Sequence, residues 1–424
     1  DGGAALGILT RHDVLGRVAL PQVPLAAPVT QVMSAPVHTL TVEHTAQDAV
    51  LLMSRHGMRH VPVTEGGRVV GIVSERDLFA MQRLSLNHVS GAIRVAADVD
   101  TLRALAPELP RLARSLLGQG VGARQLTELI SHLNDLLTAR LVELIARRHG
   151  LDLERCCWLA FGSEGRGEQT IATDQDNGLV FESDDPARDR PAWLAFARDV
   201  NDALDACGFP LCKGNVMAGN PQCCLTPDEW WARFDAWIEH GAPSDLLNAS
   251  IYFDFRALAG RAELVQPLRE RLLRAAAKTP RFMKQMAENA LRNRVPLNWR
   301  GAIETQERGG RRWLDLKLNG TVLFVDAARL FALVNGVAAT GTRARFEEAG
   351  AAMNVAAAER EAWASAFEVL QMMRLRAQID GDGDPENPNR IDLERLNDID
   401  RRVLKEVYRV ARSLQQRLEL DYQR

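Results

Sequence analysis

Two aspartates separated by one residue, Asp174 and Asp176, are the side chains best suited to chemistry in this sequence. In an extended chain, residues two apart project from the same face, so the two carboxylates are about 7 Å apart along one side. Carboxylates arranged in this way repel each other unless a cation lies between them. Mg²⁺ commonly binds one or two carboxylates together with substrate phosphates. The pair therefore predicts a Mg²⁺ site that handles a phosphorylated substrate.

A glycine-rich turn precedes the aspartates. The apolar segment Trp158–Phe161 predicts a strand that runs into Gly162 and Ser163. Glycine lets the backbone approach a ligand closely, and backbone N–H groups with a hydroxyl suit a phosphate. Arg166 adds a planar guanidinium that can clamp a phosphate. A lone Asp-x-Asp or a lone glycine turn is usually a polar turn, but their succession in this order is far more specific.

A third carboxylate is expected at Asp254, because a two-metal site needs one near the attacking oxygen. Residues 251–256 alternate in character and predict a strand, in which Asp254 shares a face with Tyr252 and Arg256. The opposite face is apolar. This pattern would aim Asp254 into the site, to bridge a second metal or to help deprotonate an acceptor hydroxyl.

The motifs above belong to a set of six segments. They are Gly162–Gln169, Thr173–Asn177, Cys212–Ala218, Phe253–Arg256, Asp315–Lys317 and Val325–Leu330. Together they resemble a bacterial family of nucleotidyltransferases that follow CBS domains, within the DNA-polymerase-β superfamily. That family is related to PII-protein uridylyltransferase and to glutamine-synthetase adenylyltransferase. With the N-terminal region described below, the resemblance covers nearly the whole chain.

The resemblance implies transfer of a nucleoside monophosphate from a nucleoside triphosphate to an acceptor hydroxyl, with a protein as the expected acceptor. It implies two Mg²⁺ ions held by Asp174, Asp176 and Asp254, which would be the catalytic residues. The nucleotide would be bound by Gly162, Ser163, Arg166, Lys213, Asn215 and Arg256. The nucleobase and the identity of the acceptor stay open.

The N-terminal region contains a repeat. Residues 7–15 match residues 71–79 at a fixed offset of 64, which marks a duplicated supersecondary unit. The second copy predicts the order β-α-β-β-α, with Gly66-Gly67 as a hairpin turn. This order resembles the CBS domain, which works in pairs and often binds adenosine nucleotides such as AMP or ATP. The first copy is truncated, and pairing of the module predicts a homodimer.

The CBS resemblance implies that the Ser/Thr-x-x-Asp motif after the last strand contacts the ribose. Here that motif is Ser74 with Asp77, and Thr10 with Asp13. The simpler interpretation is that each pair caps the helix that follows it. Both interpretations remain open at this point.

These segments predict an α+β multidomain protein. The CBS module spans 1–85, with its second copy at 25–85, and a helical linker or scaffold spans 86–150. The nucleotidyltransferase domain, of the polymerase-β type with a mixed sheet, spans 151–285. An all-α C-terminal domain spans 286–424.

Composition limits the classes of partner. The net charge of −3 gives no global electrostatic reason to expect a nucleic acid. The apolar stretches are too short to span a bilayer, so no membrane partner is expected. The six cysteines form no CxxC pair and predict reduced thiols in a cytoplasmic protein. Asp1 is not a natural start, so a targeting segment upstream stays open.

Two alternatives to transfer onto a protein or small molecule remain. The first is a nucleotide sensor that binds nucleotide and metal but signals through a partner without catalysis. The second is extension of a nucleic acid, as in tRNA-terminal transferases of the same superfamily, which the acidic net charge weakens.

Overall fold

The computed structural model describes residues 5–381, 383–384 and 386–422, and the side chains of all of these except residues 12, 47 and 79–85. The chain divides into two compact units, Asp1–His88 and Val89–Arg424.

The first unit has the predicted β-α-β-β-α order. Its three-stranded sheet has the order β1-β2-β3, with β1 parallel to β2 and β2 antiparallel to β3. Gly66 and Gly67 make the hairpin turn with φ of 57° and 79°. The elements are α1 (Arg11–Asp13), β1 (Leu40–Thr41), α2 (Ala46–His56), β2 (His60–Glu65), β3 (Arg68–Ser74) and the start of α3 (Glu75–Val95).

Local chemistry fixes both ends of α2. The Thr45 hydroxyl accepts from the Asp48 N–H at 3.2 Å, and the Asp48 carboxylate accepts from the Thr45 N–H at 2.8 Å. This capping box satisfies backbone donors that the first turn leaves free. Gly57 ends the helix in the left-handed region, with φ of 62°, where a side chain is unfavourable.

Three helices open the second unit: α4 (Val99–Leu105), α5 (Glu108–Gly118) and α6 (Ala123–His149). The helix α6 buries residues along most of its length and ends at Gly150, whose φ is 63°. The segment predicted as a linker or scaffold is therefore a packed part of the second unit, and the boundary between units falls between His88 and Val89.

The predicted mixed sheet is present, in the strand order β6-β5-β4-β7. Strand β4 pairs antiparallel with both β5 and β7, whereas β5 and β6 are parallel. Ala160 at the end of β4 pairs with Asn177 and with Arg256, so three chain segments meet at this edge. The elements are β4 (Cys156–Ala160), α7 (Gly162–Gly165), β5 (Asn177–Phe181), α8 (Pro186–Ala206), β6 (Cys224–Leu225), α9 (Pro227–His240), α10 (Pro243–Tyr252) and β7 (Arg256–Gly260).

The predicted strand at 251–256 is wrong. Helix α10 runs to Tyr252, a turn follows, and β7 begins only at Arg256. The alternation of polar and apolar residues suggested one buried face. In the structure Phe253, Asp254 and Phe255 are all buried, so the pattern did not report a strand.

The C-terminal region is helical, as predicted, and also contains a small antiparallel sheet. The sheet has the order β10-β9-β8, and Gly309 and Gly310 form the β8–β9 turn with φ of 57° and 72°. The elements are α11 (Gln266–Ala277), α12 (Pro280–Ala290), β8 (Gln306–Arg308), β9 (Arg311–Asp315), α13 (Val322–Val334), α14 (Thr342–Ala352), α15 (Ala357–Asp380), β10 (Arg390–Asp392) and α16 (Asp398–Tyr422).

Across the portion of the chain that the structure describes, no helix combines the length and the apolar character needed to cross a bilayer.

Candidate functional site

The glycine turn and the aspartate pair are in direct contact. The Phe161 N–H donates to the Asp176 carbonyl oxygen at 2.8 Å, which continues the β4–β5 ladder one step past Ala160. The next residue, Gly162, has φ of 52°. A Cβ atom there would stand 2.7 Å from Asp176 Oδ2, closer than van der Waals packing allows. Only glycine lets the turn lie against this carboxylate.

Asp174 and Asp176 lie in the extended segment just before β5 rather than within the strand itself. Their side chains still alternate with that of Gln175, which is buried and donates to the Asn201 carbonyl at 2.9 Å and to the Phe209 carbonyl at 2.8 Å. Asp174 is exposed and Asp176 is partly buried. Anchoring of Gln175 on one side leaves the two carboxylates on the other, as the i, i+2 spacing predicts.

The electrostatics of the pair favour a cation. Burial raises the pKa of Asp176 to about 7, and repulsion from Asp174 adds to this rise. A hydrogen bond from the Cys212 thiol and the charges of Lys317 and Arg166 act in the opposite direction. The donor set is hard oxygen, which fits Mg²⁺ completed by substrate phosphates.

The predicted three-carboxylate metal cluster is not formed. Within the described ranges, no group of three or more His, Cys, Asp or Glu side chains is arranged to hold a metal ion. Asp254 is fully buried, and its carboxylate is surrounded by arginines. Its role as a metal ligand is therefore corrected, because both of its oxygens are already used by guanidinium groups. Those contacts are Arg166 Nη1 at 2.6 Å, Arg329 Nε at 3.0 Å and Nη2 at 2.7 Å, and Arg345 Nη1 at 2.7 Å.

The cluster of Asp254 with Arg166, Arg329 and Arg345 joins two parts of the second unit. Arg166 follows the glycine turn, whereas Arg329 lies on α13 and Arg345 on α14. Burial raises the pKa of Asp254, but the three arginines outweigh burial and hold it well below its usual range. Asp254 thus serves as an ionised anchor between the sheet and the C-terminal helices.

Arg166 is likewise committed to protein contacts. Besides Asp254, its Nε donates to Glu168 Oε2 at 2.9 Å, and its side chain is only 13% exposed. Glu168 in turn accepts from the Thr342 hydroxyl at 3.0 Å and from the Thr342 backbone N–H at the start of α14. The Arg166 guanidinium therefore holds protein segments together and is not free to bind a phosphate.

Arg256 holds the glycine turn from the other side. Its guanidinium donates to the Glu164 carbonyl at 3.0 Å and to both oxygens of Asp135 on α6, at 2.6 Å and 2.8 Å. Burial, followed by repulsion from Asp135, raises the pKa of the Glu164 carboxyl to about 8. Asp135 gave no signal in the sequence, because its proximity to the site exists only in the folded chain, whereas Glu164 follows Ser163 directly and only its burial could not be foreseen.

The segment between the turn and the aspartates is tied to the helices around it. The Gln169 N–H donates to Ser131 Oγ at 3.0 Å, and Asn134 Nδ2 donates to Gln169 Oε1 at 3.1 Å. Gln371 Nε2 on α15 donates to the Glu168 carbonyl at 3.2 Å. Anchors on both α6 and α15 therefore fix the path of this segment.

A second loop reaches the site through Cys212, whose thiol donates to Asp176 Oδ1 at 3.4 Å. Lys213 and Asn215 follow on this loop and are exposed, and Asn215 has a left-handed φ of 56°. The structure thus brings the loop beside the aspartates, with both predicted nucleotide-binding side chains turned to solvent.

A cleft lies between the glycine turn and the C-terminal helices. The turn and the segment after it contribute Ser163, Arg166 and Thr173, and the C-terminal region contributes Lys317 and Arg374. Lys317 belongs to a basic stretch for which the sequence offers two interpretations, a solvated face or a rim that attracts phosphates, and no role was predicted for Arg374. Lys317 also belongs to the Asp315–Lys317 motif noted above, which was a further signal. Arg374 lies on α15 outside all of those motifs and carried none.

The predicted CBS motif residues lie in the first unit. Ser74 Oγ donates to Asp77 Oδ2 at 2.6 Å, and Thr10 Oγ1 donates to Asp13 Oδ2 at 2.6 Å. In each pair the backbone N–H of the aspartate donates back to the hydroxyl, at 3.2 Å and 3.4 Å. Both motifs therefore form helix caps.

Comparison with known proteins finds three family models along the chain. The CBS domain model matches residues 29–82. The model described as "Putative nucleotidyltransferase DUF294" matches residues 107–244, so it includes α6 as well as the glycine turn and the aspartates. The model described as "Putative nucleotidyltransferase substrate binding domain" matches residues 280–422.

Individual relatives match over shorter stretches. An uncharacterised protein of Methanocaldococcus jannaschii, MJ1404, is 31% identical over 91 residues, which cover 18% of this chain and 22% of that protein. A solved structure of a putative signal-transduction protein with CBS domains from Burkholderia ambifaria is 33% identical, covering 19% of this chain and 60% of that one, with a TM-score of 0.18. The chain spans about a fifth of the curated relative it matches.

The CBS domain, the nucleotidyltransferase domain and its substrate-binding partner domain follow one another in a single chain, with the glycine turn and aspartate pair of that fold in contact. The protein belongs to the CBS-linked nucleotidyltransferase family.

Proposed function

We propose that the protein is a Mg²⁺-dependent nucleotidyltransferase that moves a nucleoside monophosphate from a nucleoside triphosphate to an acceptor hydroxyl. The observation that carries this proposal is the contact between Gly162 and Asp176. The turn has no side chain at Gly162 and lies directly against the Asp176 carboxylate. Burial and the charge of Asp174 disfavour ionisation of this carboxylate, and a bound cation would offset both effects. Such a junction can hold a phosphate and its metal side by side.

In this reaction the acceptor oxygen bonds to the α-phosphorus, and the bond between that phosphorus and its bridging oxygen to the β-phosphate breaks. Pyrophosphate leaves with the bonding electrons, and the hydroxyl proton passes to solvent. Mg²⁺, when bound by Asp174 and Asp176, would neutralise charge on the phosphates. Gly162 and Ser163 are proposed to hold the triphosphate, with Lys213 and Asn215 on the neighbouring loop.

Three residues take a different place in the proposal from the one that the sequence implied. Asp254 is inaccessible behind its arginines, and Arg166 and Arg256 are occupied by carboxylates and a carbonyl. We assign all three to positioning of the turn, because preorganised geometry is a large part of catalysis in this kind of transfer.

We also propose that adenine nucleotides such as AMP or ATP bind the CBS module and regulate transfer, and that the module forms a homodimer. Exposed apolar side chains on β3 support the pairing, because Val69, Val70 and Ile72 are 42%, 54% and 57% exposed. Uncovered apolar surface of this kind commonly marks an interface. A protein acceptor is proposed for the substrate-binding domain.

The test is to incubate the chain with each α-labelled nucleoside triphosphate, Mg²⁺ and cell lysate. The compared variants are Asp174→Asn/Asp176→Asn and, as a matched control, Asp205→Asn, an exposed aspartate at the end of α8. Label should move to a protein or small molecule with the wild type and with the control, and not with the double variant.

Three other results have clear meanings. Mg²⁺-dependent nucleotide binding without transfer, lost in the double variant, would favour the non-catalytic sensor. Salt-sensitive label transfer to RNA would favour nucleic-acid extension. Absence of both binding and transfer would overturn the proposal.

A further inference from the structure

The cleft described above has one wall from each of two domains. Ser163, Arg166 and Thr173 lie on the nucleotidyltransferase side, and Lys317, Thr321 and Arg374 lie on the C-terminal side. A ligand in this cleft would touch both domains at once. Ser163 follows Gly162 directly and Asp174 follows Thr173, so the cleft is lined by the chain segments that carry the proposed phosphate and metal site.

Hydrogen bonds fix the backbone at Lys317, which lines the cleft. Asp315 Oδ1 accepts from the Lys317 N–H at 2.9 Å and from the Leu318 N–H at 2.8 Å, which fixes the chain at this point. The side chain itself is exposed. No carboxylate among the residues with described side chains lies within salt-bridge distance of its ammonium group. Its charge is therefore free to meet an anion.

Arg374 is a buried cation held only by neutral groups. Its guanidinium donates to Asn389 Oδ1 at 2.8 Å and 3.1 Å, and to Gln371 Oε1 at 2.6 Å. Its residue exposure is 7%, and the described part of the chain provides no salt-bridge partner for it. Burial lowers the pKa of Arg374 to about 10, and the charges of Asp315 and Glu168, which lie beyond salt-bridge distance, offset this only in part.

Three other arginines differ from Arg374 because each of them binds a carboxylate. Arg166, Arg329 and Arg345 all bind the Asp254 carboxylate, Arg166 also pairs with Glu168 and Arg329 with Asp326, so each of the three has a carboxylate partner inside the protein. A buried cation without such a partner is costly unless a ligand anion completes it. A buried Arg374 and an exposed Lys317 lie on one wall of the cleft, and neither forms a salt bridge with a described side chain, which indicates a site for a polyanion rather than for a single carboxylate.

We propose that Lys317 and Arg374 of the C-terminal region bind the β- and γ-phosphates of the nucleoside triphosphate. This inference rests on the proposed function for the identity of the ligand and deepens it. Bond cleavage places new negative charge on the departing β-phosphate, and Lys317 would stabilise that charge as pyrophosphate leaves. The C-terminal domain thereby completes the triphosphate site, in addition to any contact with the acceptor.

The test uses the whole chain and inorganic tripolyphosphate as the probe, with Mg²⁺, measured by calorimetry. Lys317→Ala should weaken tripolyphosphate binding by about tenfold or more, the usual loss for a charged hydrogen bond. It should leave binding of a nucleoside monophosphate nearly unchanged. Lys317→Arg should restore most of the affinity. Lys278→Ala, an exposed lysine at the end of α11, serves as the matched control.

Because Arg374 is buried, Arg374→Gln is compared only after circular dichroism shows a folded chain, and the Lys317 series carries the test without it. The inference is overturned if wild type does not bind tripolyphosphate, or if Lys317→Ala changes only the KM for the acceptor. Failure of the proposed function has a different signature: tripolyphosphate binds through Lys317, but no nucleoside triphosphate yields labelled product. Transfer that persists with unchanged nucleotide KM in Lys317→Ala would overturn the inference alone.

Discussion

Asp176 lies so close to Gly162 that its Oδ2 occupies the space where a side chain would begin, 2.7 Å from the position of a Cβ atom. The same glycine has φ of 52°, so both the backbone and the neighbouring carboxylate exclude other residues. The glycine turn and the aspartates are apart in the sequence, but in the fold they are in direct contact.

We expect Gly162→Ala to abolish most transfer activity while the chain still folds. The alanine would displace Asp176, and a misplacement of about 1 Å at such a site can cost about 100-fold in rate. Gly167→Ala is a suitable control, because Gly167 also has a left-handed φ, of 67°, but a Cβ there meets no atom within 4 Å. Both variants should lose about 1–2 kcal/mol to backbone strain. Equal activity in the two would contradict the role of the contact.

Asp254→Asn should act mainly on stability. Removing the carboxylate leaves Arg166, Arg329 and Arg345 buried without their shared counter-charge, and breaking a buried ion pair costs about 3–5 kcal/mol. Urea unfolding of the second unit should show this loss. If Asp254 were instead a metal ligand, stability would hold and Mg²⁺-dependent nucleotide binding would fall. Calorimetry of Mg²⁺ with nucleotide separates these results.

Glu164 should make the stability depend on pH. The pKa of its carboxyl is about 8 in the folded chain against an ordinary value of 4.5, so the folded state keeps a proton that the unfolded state has lost. Stability from this group is therefore full below its unfolded pKa and falls as pH rises towards about 8, by up to about 1.4 kcal/mol per pH unit.

Glu164→Gln keeps a neutral side chain at every pH and should flatten this slope. The measurement is urea unfolding of wild type and variant from about pH 5 to about pH 8. The variant should gain stability relative to wild type as pH rises. An unchanged difference between the two across this range would show that Glu164 is ionised in the folded chain.

The CBS motif can be tested with a control inside the same unit. Ser74 and Thr45 form closely similar capping boxes, with Asp77 and Asp48 respectively. Ser74→Ala and Thr45→Ala should each cost about 1 kcal/mol through the lost cap. Only Ser74→Ala should also weaken AMP or ATP binding, by about tenfold. Equal nucleotide affinity in both variants would leave Ser74 as a helix cap alone.

The sequence by itself determined the features that depend on neighbouring residues. Turn glycines, capping boxes and apolar periodicity act within a few positions, so the CBS order, the end of α6 at Gly150 and the strands around Gly162 were predictable. The i, i+2 spacing likewise placed Asp174 and Asp176 on one side of the chain. Family motifs added the link between these segments.

Only the tertiary structure decided the roles of residues whose partners lie far away in the chain. Asp254 had the residue type and spacing of a metal ligand. Its carboxylate, however, accepts hydrogen bonds from arginines that lie 75 and 91 positions further along the chain. Asp135, Lys317 and Arg374 reach the site from other helices and loops. The charge and burial of a side chain depend on all elements packed around it, and that sum is fixed only when the chain has folded.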